Sequence, residues 1–158
     1  MVWLALMPLP GALAAETTQA AIAQPPSSTA ALPCAPFAQA DAEALFGRWN
    51  QALASGNPNA VADLYDDGAL LLPTLAADSR TTPEAIRAYF RHFLARSPQG
   101  EVTSRQLILG CNQVVDASTY RFALQDPSEL VEARFTFVYG FDGSSWRILH
   151  HHSSLLPA

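Results

Sequence analysis

The feature that most constrains the fold is a change of hydrophobic period part-way along the chain. Up to about residue 96 the apolar residues recur with helical spacing, and from Glu101 onward they alternate. A stripe of period 3.6 is buried by a helix, whereas an alternation of period two is buried by a strand with one covered face. Ala42, Leu45, Phe46, Trp49 and Leu53 predict a first helix over about 37–53, ended by Gly56. Asn57 and Pro58 start a short second helix, read as ending in the turn residues Asp66-Asp67-Gly68. "ALLLP" follows as a short buried strand. Thr82 and Pro83 then open a third helix, with Ile86, Tyr89, Phe90, Phe93 and Leu94 on its buried stripe.

Four strands are predicted after the switch, at about Val102 to Cys111, Val114 to Leu124, Leu130 to Phe141 and Ser145 to Ser154. Their connections (Asn112-Gln113, Asp126-Pro127-Ser128 and Asp142-Gly143-Ser144) are short, which makes sequential strands antiparallel neighbours. Helices followed by a meander give the α+β class, a curved antiparallel sheet wrapped on three N-terminal helices.

The N-terminus is a separate object. "MVWLALMPLPGALAA" has an apolar run too short to span a bilayer and ends in small residues. It predicts a signal peptide over 1–15, although the usual basic flank is missing. Residues 16–36 are rich in Ala, Pro, Ser and Thr and predict a flexible linker, with a single domain over 37–158. The expected location is periplasmic or secreted. There an even cysteine count points to a Cys34–Cys111 disulfide; two unrelated thiols are the alternative. A net charge of −5 gives no footprint for nucleic acid or for an anionic membrane.

Motifs for nucleotide binding, for metal-dependent proteolysis and for the nucleophile elbow are absent from the sequence, and no cofactor is expected. His150, His151 and His152 alternate along the last strand, so they cannot converge on one ion. No third ligand is evident, and no metal is expected. Alternation groups Trp146, Ile148, His150 and His152 on one face, and His151 and Ser153 on the other. Arg121 and Arg134 stand in phase on adjacent strands, opposite the aromatic residues. If they lined a cavity they would call for an anionic partner; on a solvent face they would call for none.

"LFGRWNQALASGNPNAVADLYDDGALLLP", "TTPEAIRAYFRHFL" and "FVYGFDGSSWRILHHHSS" resemble the nuclear transport factor 2-like superfamily. Within it they are most similar to the association (hub) domain of calcium/calmodulin-dependent kinase II and its stand-alone bacterial relatives. The resemblance covers about Phe37 to Pro157. It implies a cone, with a strongly bent sheet closed by helices around a pocket, and a homodimer or higher oligomer formed through the outer sheet face. It also implies a pocket lined by arginines, at positions matched here by Arg121 and Arg134, while Ser153 stands where the hub carries a third. His151, Ser153, Tyr65, Tyr89 and Trp49 complete the expected ligand-binding set.

Two functions follow as expectations. The first is an exported, self-associating domain that binds a small anionic ligand without strong catalysis. The second is an isomerase, dehydratase or polyketide-cyclase-type (SnoaL-like) enzyme on an apolar carbonyl compound, with His151 and Asp66 as its catalytic candidates. A purely structural association module is a third possibility.

Overall fold

The structure, a computed structural model, describes residues 32–157 apart from residue 75 and residues 126–129. The expected signal peptide, most of the linker and the Asp126-Pro127-Ser128 connection lie outside the described residues. Leu32–Ala158 forms one compact unit.

Helix α1 spans Gln39–Ala54 and α2 Pro58–Ala62. Asn57 caps α2 by accepting from the Asn59 amide. Gly56, at φ 66°, takes the left-handed position that ends α1. Strand β1 (Tyr65–Leu72) leads to α3 (Pro83–Phe93), capped by Thr82, and a single 3₁₀ turn over Leu94–Arg96 continues it. Five strands follow: β2 (Gln99–Ser104), β3 (Leu107–Gly110), β4 (Gln113–Ala123), β5 (Leu130–Phe141) and β6 (Trp146–Leu155). The sheet order is β1-β6-β5-β4-β2, with β3 also pairing β4. The fold is α+β, as expected, but the sheet is mixed because β1 runs parallel to β6.

Three local departures from the sequence expectations matter. The long strand predicted over 102–111 is broken into β2 and β3. At the break Arg105 turns inward, its Nη1 3.0 Å from Oδ2 of the fully buried Asp116, while the Ser118 hydroxyl donates to Asp116 Oδ1. An unpaired carboxylate in the core would cost far more than this interruption of pairing. Asp66-Asp67-Gly68 do not end the chain's pairing before a separate strand. They bulge within β1, where Asp66 Oδ1 accepts from the Gly68 amide and the register to β6 shifts between Tyr65 and Leu70. The third departure is in β6: Val138 pairs His150 and Tyr139 pairs Ile148, which leaves Leu149 as the extra residue of a bulge.

The helices cover one sheet face with an aromatic core. Trp49 packs edge-on to Phe90, Phe122 and Phe137, contacts worth about 0.5–1.5 kcal/mol each beyond area burial. Asn50 fastens α1 to β2 by two reciprocal bonds, to the Gly100 carbonyl (2.9 Å) and from its amide (2.8 Å). Cys34 and Cys111 are joined in a disulfide. Asn112, at φ 56°, holds the same N-terminal stretch through bonds from the Ala35 amide (2.7 Å) and to the Pro33 carbonyl (3.1 Å). The end of the expected linker is therefore tied to the β3–β4 turn.

Candidate functional site

Inward-facing side chains of the sheet do not fill all the space beneath α1 and α3. A cavity of about 440 Å³ remains, walled by Trp49 of α1, Tyr89, Phe90 and Phe93 of α3, Leu71 of β1, Tyr120, Phe122 and Leu124 at β4, Val131 and Ala133 of β5, and Leu155 of β6. This size suits a small ligand, and the walls are apolar as such sites usually are. His151 and Ser153 enter it because of the β6 bulge. Before Leu149 the inward residue is Ile148; after it the inward residues are His151, 4% exposed, and Ser153. The expected grouping of Ile148 with His150 and His152 fails for that reason, while the pocket positions of His151 and Ser153 agree with the expectation.

Two short polar chains sit in these apolar surroundings. In the first, the Trp49 indole N–H lies 3.3 Å from Tyr65 Oη, which is 2.8 Å from His151 Nδ1. An indole nitrogen only donates, so Tyr65 accepts from Trp49. If Tyr65 donates its own proton to Nδ1, the imidazole carries its hydrogen on Nε2. The opposite tautomer would strand both the Tyr65 proton and the Nε2 lone pair, so the first arrangement satisfies more buried groups. Nε2 itself is buried, with no hydrogen-bond partner among the described residues. Burial, followed by the neighbouring His150 and His152, lowers the His151 pKa to about 3, so the ring is neutral at physiological pH. Phe137 at 4.2 Å and Trp49 at 5.6 Å between ring centroids fix its plane.

The second chain links three hydroxyls. Tyr120 Oη and Thr74 Oγ1 each lie 2.5 Å from Ser153 Oγ. Three protons serve two bonds, which leaves one O–H for a ligand. Burial raises the Tyr120 pKa well above its ordinary value, so this hydroxyl stays protonated. Tyr89 is likewise pushed up, to about 12, by burial.

Trp49, Tyr89, His151 and Ser153 thus line the cavity, and Tyr65 stands directly behind His151. Arg121 and Arg134 do not line it. The aromatic residues between them in the alternation, Tyr120, Phe122 and Phe135, take the inner face, and the arginines are carried to the outer one. There Arg121 Nε donates to Glu132 at 2.7 Å and Arg134 is exposed. A face of large aromatic side chains is the one a sheet buries, and a guanidinium that finds a carboxylate in water has no cause to enter it. Asp66 does not reach the cavity either, since its carboxylate is used within the β1 bulge. Among the described residues, sequence reasoning missed four polar lining residues: Tyr120, Thr74, His92 and Arg96. The last two follow the buried stripe at the end of α3, and that position was the available signal.

A family model for the calcium/calmodulin dependent protein kinase II association domain matches residues 38–157. The chain belongs to this family. Among solved structures, a protein of Xanthomonas campestris assigned to the same association domain is 42% identical, with a TM-score of 0.70 over 79% of this chain and 95% of that one. A nuclear transport factor 2-like protein from Pseudomonas putida is 18% identical, with a TM-score of 0.65 over 73% of this chain and 84% of that one. A protein from Parabacteroides distasonis named for ketosteroid isomerase is 19% identical, with a TM-score of 0.59 over 73% of this chain and 85% of that one. The last two similarities establish the fold alone. No curated protein matches the chain.

Proposed function

We propose that this association-domain protein binds a small, mainly apolar ligand in the cavity beneath α1 and α3, without acid–base catalysis. The observation that carries this reading is the composition of the cavity wall. It has aromatic and aliphatic sides and a few convergent hydrogen-bonding groups, and no aspartate or glutamate among the described lining residues. A proton abstraction needs a base whose pKa is near the operating pH. His151, held far below that range, is a poor one.

The test is thermal denaturation against a panel of small aromatic and alicyclic compounds, because selective binding to the native state raises apparent stability. Wild type and an Arg121→Ala/Arg134→Ala variant should be stabilised alike, and Ala133→Phe, which fills the cavity, should lose the effect. Equal stabilisation of Ala133→Phe would sink the reading.

Self-association and export belong to the same proposal. The first is supported by the family and the second by the disulfide, which persists in oxidising compartments. Sedimentation of the mature domain should give at least a dimer, and a concentration-independent monomer would contradict it.

A further inference from the structure

Resting on the cavity as a binding site, we infer that its ligand is an amphiphile, an apolar chain or ring carrying a single carboxylate, whose head is held at the cavity mouth by Arg96. The wall is not electrically even. Trp49, Phe90 and Tyr120, each 1% exposed, form its inner part. Arg96 is half-buried and His92, four residues earlier, is exposed, so these two stand where the cavity meets water. The single turn Leu94–Arg96 that continues α3 brings Arg96 to the wall. Among the described lining residues Arg96 is the one fixed charge, and none is a carboxylate.

A guanidinium matches a carboxylate with two parallel N–H bonds, and such charge-assisted bonds are about twice as strong as neutral ones. Position decides the balance. Among the inner aromatic rings a carboxylate would give up its whole hydration, whereas at the mouth it keeps part of its water and meets a cation. One cation offsets one negative charge, which favours a monoanion over a dianionic phosphate ester. The apolar part of the ligand is left to the aromatic wall, where each buried methylene adds about fourfold in affinity. The volume of about 440 Å³ is room for about 15 water-sized units, at about 30 Å³ each, and an octyl chain at about one unit per carbon fits.

Calorimetric titration with octanoate, octanol and octylamine holds the chain constant and varies the head from anion to neutral to cation. Wild type should bind octanoate more tightly than octylamine. In Arg96→Gln the affinity of octanoate relative to octanol should fall about five- to tenfold, as expected for one charge-assisted bond in a partly hydrated site. Octanol binding by the variant certifies that the cavity is intact, and Arg96→Lys, which keeps the charge, should retain most of the octanoate preference. Arg91→Gln removes the same charge from an exposed position in the last turn of α3, outside the wall, and should leave the ratio within about twofold. Octylamine bound as tightly as octanoate by wild type, a ratio unchanged in Arg96→Gln, or an equal fall in Arg91→Gln overturns the assignment. If none of the three binds the wild type, or if Ala133→Phe binds octanol undiminished, the cavity reading itself fails.

Discussion

His151 has a chemical environment that should be visible in stability. Its folded pKa, about 3, lies below the unfolded value of about 6.5, so the unfolded chain binds the extra proton between those limits. The stability contributed by the neutral ring is therefore complete above pH 6.5 and is lost as the pH falls toward 3. The slope is at most about 1.4 kcal/mol per pH unit. Asp116 works in the opposite sense, because burial raises its pKa and favours the protonated fold in acid. The comparison must hold it constant: denaturant unfolding of wild type and His151→Gln from pH 7 to pH 4 should show the steeper acid loss in wild type. Parallel curves would mean that the ring is hydrated and ordinary.

At the scale of elements, β2 depends on α1. Asn50 satisfies both backbone groups of Gly100 on β2, which ends the sheet order among the described residues. Asn50→Ala should cost about 1–3 kcal/mol by leaving those groups unpaired. It should also raise amide hydrogen exchange in β2 before the β4–β5–β6 core; uniform protection across the sheet would contradict this.

Such element boundaries were largely legible in the sequence. Asn57, Thr82 and Gly56 act as caps and stop through their own side chains or backbone freedom, so local chemistry announces them. The bulges at Leu149 and at Asp66-Asp67-Gly68, and the break at Arg105, were not legible. Each is decided by a partner distant in the chain: β5 across from Leu149, β6 beside Asp66 and Asp116 opposite Arg105. The parallel pairing of β1 with β6 is of the same kind, since nothing in "ALLLP" identifies its neighbour.

The candidate site followed the same division. Alternation put Tyr120 and Arg121 on opposite faces correctly, but the choice of inner face was taken from the resemblance, which placed the arginines at the pocket. The aromatic content of the other face decided otherwise.

For the whole molecule, the fold encloses a cavity and this chain's residues set one neutral imidazole in its wall. Two features combine: a tryptophan and a tyrosine that hold one imidazole, and a bulge that turns that imidazole inward; Arg121 and Arg134 stay on the outer face, while Arg96 lines the cavity. Nitrogen NMR of histidine-labelled protein tests the combination most directly, because its shifts report protonation and tautomer of each ring. The account predicts that His151 keeps a single Nε2–H tautomer and does not titrate between pH 5 and pH 8. A ring that titrates near pH 6.5, or that carries its proton on Nδ1, would contradict it.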